Sequence, residues 1–292
     1  MNALKNVFLK EIKLVSTKYV RYLHDEIEWK SRLIAILGAR GVGKSTLVLQ
    51  HIKLHEDIDT TLYVSADNIY FSVHSLLDLA NEFYNLGGKA LYIDEIHKYK
   101  NWSQEIKNIY DSFPDLKIVY TGSSILELEK GGADLSRRKL EYRLPGLSFR
   151  EYLMISRDIN VKTHSLQDLL THKVEFPYTE YKPLALFKEY MKEGYYPFFD
   201  DYGYYMRLSS IVNQILENDI KDFAEMTVST ARALKKLMYI IAQSVPFKPN
   251  YSKISKDIDV NRKLVSDLMI YLEKAQLINI LRDNSFGISS LG

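Results

Sequence analysis

Eight consecutive residues, Gly38, Ala39, Arg40, Gly41, Val42, Gly43, Lys44 and Ser45, fit the pattern GxxxxGK[ST], and Thr46 follows directly. Gly38, Gly41 and Gly43 allow backbone angles and close approaches that a side chain would block. Successive N–H groups can then face a phosphate, reinforced by the positive end of a following helix. Lys44 is placed to reach β- and γ-phosphates, and the hydroxyl of Ser45 suits Mg2+. Thr46 either meets an α-phosphate or packs. Further along, the run ALYIDEIHK delivers Asp94 and Glu95 at the end of an apolar stretch. Asp94 would hold Mg2+ through water, and Glu95 would orient and polarise an attacking water. His97 beside them reads as a surface or packing residue.

Two weaker elements follow. In IVYTGSS, the residues Thr121, Gly122, Ser123 and Ser124 suit a γ-phosphate or a lytic water, or else an ordinary turn. In DLSRRKLEYRL, Arg137 and Arg138 suit transition-state charge, within one subunit or a neighbour, or else form a solvated basic pair.

The elements that must position these groups alternate. Expected strands are Leu33 to Leu37, Leu62 to Val64, Ala90 to Ile93, Lys117 to Tyr120 and Leu140 to Leu144. Expected helices are Leu4 to Leu23, Ser45 to Leu54, Leu76 to Tyr84 and Trp102 to Ser112. Strands alternating with helices of this length predict a parallel sheet covered on both faces. After Pro145 the periodicity is helical, interrupted by the Gly- and Pro-bracketed aromatic run GYYPFFDD. The expected organisation is an N-terminal helix over 1–30, a core over 31–146, a helical lid over 147–227 and a C-terminal domain over 228–292.

The chain has 292 residues, 46% hydrophobic and 26% charged, with a formal net charge of +2. Such a balance gives no whole-molecule attraction to nucleic acid, so any basic footprint must be local. There is no cysteine, which excludes disulfides, thiolate zinc sites and thiol nucleophiles. That absence, with no apolar run long enough to span a membrane, leads to the expectation of a cytoplasmic protein.

Taken in order, GARGVGKSTL, LYIDEIHKY, IVYTGSS, ADLSRR and LPGLSFREYL resemble prokaryotic AAA+ ATPases in which the core is followed by a C-terminal domain of unknown function. The resemblance covers most of the chain. It implies an α/β P-loop NTPase of AAA+ type, with a helical lid, a winged-helix-like C-terminal domain, ATP and Mg2+. It assigns the Walker roles to Lys44, Ser45, Asp94 and Glu95, the sensor position to Ser123, and the arginine before the last core strand to Arg138. The family's C-terminal region normally continues into a further small domain, so the end at SFGISSLG reads as a truncation. No sensor arginine stands out in the lid; Arg207 is placed there by position alone.

Residues 228–282 hold ten Lys or Arg against four acids, a local formal charge of +6. The pattern there reads as helix, turn and helix, then a strand over Leu277 to Arg282 leading to a wing. Asn261, Arg262 and Lys263 would open the second helix, where such motifs meet base edges or phosphates. DNA is one partner consistent with this, and a docked protein is the other. Two functions therefore stay open: an ATPase driving this module on DNA, or a slow nucleotide-dependent protein-interaction switch. A P-loop small-molecule kinase expects an acceptor pocket and an arginine-rich lid, and leaves the acid pair unexplained. An arginine acting in trans would require a homo-oligomer.

Overall fold

The computed structural model describes residues 1–122, 135–174, 182–220, 226–244 and 246–282. They fall into two compact units, one built on residues 1–204 and the other from residue 205 onward.

The first unit is organised by five strands: β1 Leu33–Leu37, β2 Thr61–Ser65, β3 Ala90–Asp94, β4 Lys117–Gly122 and β5 Leu140–Arg143. They form one sheet in the order β2-β3-β4-β1-β5. Every pairing is parallel. All five residues of β1 and of β3 are buried, as expected where helices cover both faces of a parallel sheet and strands read as continuous apolar runs. The crossovers contain α3 Lys44–His55, α4 Leu76–Asn85 and α5 Trp102–Ser112. Capping is local: the hydroxyl of Ser75 accepts from the Asp78 N–H at the start of α4.

At the N-terminus, α1 Asn2–Leu14 buries Leu4, Phe8 and Ile12 and packs on β2 and α3. The helix expected to reach Leu23 stops at Leu14, and Val15 is already extended. Val15, Ser16 and Thr17 supply the reason, since β-branched and hydroxyl side chains lose little by leaving a helix. A short helix, α2 Leu23–Glu26, follows. Past β5 come α6 Phe149–Arg157, α7 Leu166–Leu170 and α8 Pro183–Glu193. Ser148 and Glu151 close a capping box at the start of α6.

The second unit opens with α9 Tyr204–Gln214, continued by a π-helical turn over Ile215–Asp219. Then come α10 Val228–Ala242, α11 Tyr251–Asp257 and α12 Arg262–Lys274. Their apolar faces meet in a separate core around Leu234, Leu237, Ile254, Val265, Leu268 and Leu272. Asn261 caps α12 by accepting from the Leu264 N–H at 2.8 Å, so the helix-turn-helix lies where the sequence puts it. The strand expected over Leu277 to Arg282 does not form. Gln276 takes a left-handed φ of 58°, the Leu277 N–H closes back on the Leu272 carbonyl, and Arg282 forks onto Glu273 at 2.8 and 2.5 Å. Alternating polarity alone forms no strand without a partner to pair with. The expected wing beyond residue 282 lies outside the described residues.

No helix among the described residues is long and apolar enough to cross a membrane.

Candidate functional site

In open α/β sheets, ligands bind beyond the carboxyl ends of the strands. Three adjacent strand ends meet there in the first unit. β1 runs into the glycine-rich loop, β3 ends on Asp94, and β4 between them supplies Thr121.

The loop has the shape its sequence requires. Gly41 and Gly43 have φ of 82° and 97°, and Gly43 caps α3. A Cβ on Gly38 would stand 2.3 Å from the Leu144 carbonyl oxygen, so the loop can lie against the end of β5 only as glycine. Ala39 and Val42 are buried, Arg40 is half-buried and Thr46 is exposed on α3. Lys44 is buried, and its ammonium donates to the carbonyls of Gly38 and Ala39 at 3.0 and 2.9 Å, arching back over the loop.

Next to it, Ser45 Oγ donates to Asp94 Oδ2 at 2.7 Å. Asp94 is buried and accepts from two further hydroxyls, Tyr63 at 2.8 Å and Thr121. Burial, and then the charge of Asp94, push the Tyr63 phenol well up, so it stays a donor. Glu95 adopts a left-handed φ of 51°, a conformation costing a non-glycine residue about 1–3 kcal/mol. The Thr121 hydroxyl accepts from its N–H at 3.2 Å. The His97 side chain is only 3% exposed and lies 3.3 Å from the Glu95 carboxylate through Nε2. Burial, with Lys98, Arg40 and Lys44 nearby, pulls this imidazole down to about 3, so the contact joins a neutral ring to a carboxylate. His97 is therefore a packed support of Glu95.

The donor set fits the group that the sequence implies. A hydroxyl and a carboxylate are hard oxygen ligands of the kind Mg2+ takes, with phosphate oxygens completing its shell. The positive-φ glycines and the start of α3 make a cradle for those phosphates.

Sequence reasoning missed a brace beneath this loop. Arg21 and Glu151 are both buried. Arg21 donates to Glu151 at 2.6 and 3.2 Å, to the Val42 carbonyl at 2.8 Å, and to the carbonyls of Pro145 and Gly146, both at 3.0 Å. One guanidinium thus ties the phosphate loop to the segment leaving β5. The Ser148-x-x-Glu151 box was a readable signal for one partner, whereas Arg21 sits in an unpatterned stretch. The aromatic run also gains a place. Pro197 lies beside the loop, with its Cγ 3.6 Å from where a Gly43 Cβ would be, and Tyr196 and Phe198 are buried near it.

The remaining expected residues fall elsewhere. Ser123 and Ser124 lie outside the described residues. Arg138 sits in the turn before β5, at the amino ends of the strands and so at the opposite end of the sheet from the phosphate loop, and contacts Asp111 at the end of α5 at 3.3 Å. Arg137 beside it is exposed. The fold therefore separates Arg138 from Lys44, Ser45, Asp94 and Glu95 of its own chain. In the second unit, Arg262 and Lys263 are exposed in the first turn of α12.

Residues 30–153 match the family model described as an AAA domain. Residues 184–286 match a domain of unknown function, DUF8612. The chain is 26% identical over 284 residues to Uncharacterized protein MJ1637 of Methanocaldococcus jannaschii, covering 91% of this chain and 59% of that protein. It is 24% identical over 303 residues to Uncharacterized protein MJ1544 of the same organism, covering 97% and 65%. It thus spans about three fifths of the length of the curated relatives it matches. Among solved structures, the Walker-type ATPase PABY2304 of Pyrococcus abyssi is similar at a TM-score of 0.49 and 15% identity, over 91% of each chain. AMPPCP-bound DnaA from Aquifex aeolicus is similar at 0.32 and 13%, over 93% of this chain and 87% of that one. Likeness at those scores says nothing of function. Residues 30–153 thus match the AAA domain model and carry an α/β P-loop NTPase fold.

Proposed function

We propose that this chain hydrolyses ATP with Mg2+, and that Glu95 activates the water. The observation that carries this is the joining of Ser45 Oγ to Asp94 Oδ2 at 2.7 Å, with Glu95 the next residue along. Two oxygen ligands and a base thereby share one strand end. Ser45 and Asp94 would hold Mg2+, which would supply charge neutralisation at the phosphates. The loop N–H groups orient the polyphosphate, and Lys44 leaves the carbonyls of Gly38 and Ala39 to meet the terminal phosphates. Asp94 is held by Tyr63 and Thr121, so its free lone pairs point in a fixed direction. His97 fixes the Glu95 carboxylate, which accepts the water's proton as the water attacks. Phosphate release by wild type, Lys44→Ala and Glu95→Gln tests the assignment; equal rates in all three would sink it.

Arg138 then acts on a nucleotide held by a second copy, since its own phosphate loop lies at the other end of the strands. This reading makes the active form a homo-oligomer.

The helix-turn-helix of the second unit supports DNA as the partner. Lys253, Lys256, Arg262 and Lys263 are all exposed on α11 and α12, and basic side chains at the start of a helix oppose its dipole. Charge placed against stability favours a phosphate-bearing partner over a neutral protein face. Duplex binding by wild type and by Arg262→Ala with Lys263→Ala tests it: a lost phosphate contact weakens binding and flattens its salt dependence. Unchanged binding and salt slope would point to a protein partner.

A further inference from the structure

Away from the phosphate site, three histidines converge. His51 and His55 lie on one face of α3, four residues apart, and His24 reaches them from α2. One ring nitrogen from each lies within 4.8 Å of the other two. We propose that His24, His51 and His55 bind a divalent transition-metal ion of the zinc type, at a site distinct from the nucleotide's Mg2+.

The hydrogen bonds around the rings carry the argument. His24 Nε2 and His51 Nδ1 are 3.1 Å apart. Ligands at zinc–nitrogen distances of 2.0–2.1 Å in a tetrahedron stand about 3.3 Å from one another. The far nitrogens of both rings face carboxylates: His24 Nδ1 lies 3.1 Å from Asp25 Oδ1, and His51 Nε2 lies 3.4 Å from Glu56 Oε1. A carboxylate only accepts, so the tautomers that satisfy both carboxylates place each ring's proton on its far nitrogen. In neutral rings the lone pairs of His24 Nε2 and His51 Nδ1 then point at each other. Two acceptors at that distance need a cation between them, and carboxylate-backed imidazoles are how proteins present histidine to a metal.

The surroundings hold this geometry. Glu56 is fixed by the Lys117 ammonium and the Tyr92 hydroxyl, both at 2.6 Å. Trp29 stacks on His51, with centroids 3.6 Å apart and planes 8° from parallel, while its indole N–H donates to the His24 carbonyl at 2.9 Å. His24 and His51 are buried and His55 is exposed, so the outer coordination position faces solvent. Three imidazoles select Zn2+, Co2+, Ni2+ or Cu2+ over the oxygen-seeking Mg2+ and Ca2+. His51 follows Lys44 by seven residues, which places this site about 10 Å along α3 from the phosphate loop. A bound ion would fasten α2 to the helix that leaves that loop.

The test uses the untagged full chain, stripped of metal and free of nucleotide, titrated with Co2+. Expected are intense visible d–d bands of tetrahedral cobalt at one equivalent, displaced by Zn2+. His55→Ala, an exposed change that leaves the core intact, should weaken binding by at least about tenfold, and Glu56→Gln by about 10–100-fold. Asp94→Asn should leave the bands as they are, which separates this site from the oxygen ligands beside Lys44. Zn2+ should raise the melting temperature of wild type and not that of His55→Ala. Featureless titration of the wild type, as when a shared proton rather than a metal joins His24 and His51, would overturn the proposal. So would equal cobalt affinity in wild type, His55→Ala and His24→Gln.

Discussion

Arg21 and Glu151, 130 positions apart in the chain, meet as a buried pair at 2.6 Å beneath the phosphate loop. The same guanidinium holds the Val42 carbonyl of that loop at 2.8 Å. This one residue couples the segment before the sheet to the turn that follows its last strand. Breaking a buried pair strands its partner's charge at a cost of about 3–5 kcal/mol. Arg21→Ala should therefore lower unfolding free energy by that order in denaturant titration. Arg21→Lys should rescue little, because one ammonium cannot replace a fork that serves a carboxylate and three carbonyls. Stability unchanged in Arg21→Ala would show that the loop does not depend on this brace.

Gly38 makes a steric prediction. Its missing Cβ would lie 2.3 Å from the Leu144 carbonyl oxygen, a backbone atom that moves only with β5. Gly38→Ala should shift the loop away from β5, with loss of nucleotide affinity larger than loss of fold. Fluorescent-nucleotide titration alongside circular dichroism separates the two. Wild-type affinity in a folded Gly38→Ala protein would contradict the geometry.

His97 makes a pH prediction. Its folded pKa lies near 3, below the unfolded value of about 6.5. The unfolded chain therefore binds the proton first, and stability is lost as pH falls through 6.5 toward 3. For this group alone, the loss between pH 7 and pH 5 is about 2 kcal/mol. Denaturant titrations at the two pH values should show a smaller drop for His97→Gln than for wild type. An identical drop would mean that His97 takes up its proton without cost in the folded state.

Arg138 is the place to test assembly. Because it sits at the opposite end of the strands from its own phosphate loop, Arg138→Ala and Lys44→Ala should each be inactive alone, and mixing them should restore part of the turnover. Each mixed interface could join an intact loop to an intact arginine. Absence of rescue, with assembly verified by light scattering, would remove Arg138 from the reaction.

Much of the first unit was legible because its signals are local. β1 follows the apolar run at Leu33–Leu37 residue for residue, since a strand buried on both faces leaves no ambiguity of face, and α5 follows the amphipathic spacing of Trp102, Ile106 and Ile109 over Trp102–Ser112. The approach of Ser45 to Asp94 followed from motif order once the sheet was parallel. Long-range relations were not legible. Nothing around Arg21 signals that it will be buried against Glu151, and His24 is separated from His51 and His55 by a strand and a loop. The N-terminal helix was read too long because its apolar spacing continues past Leu14, where Val15 to Thr17 favour extended backbone. The strand at Leu277 failed because alternation describes one strand and says nothing of its partner.

The central claim is that Glu95 activates water at a site where Ser45 and Asp94 hold Mg2+. It is tested most directly by steady-state phosphate release with Mg2+-ATP, comparing wild type with Glu95→Gln, and with nucleotide binding measured on both. Turnover in wild type, reduced by about 10²-fold or more in Glu95→Gln with ATP binding retained, is the predicted result. Turnover equal in the two proteins would contradict it.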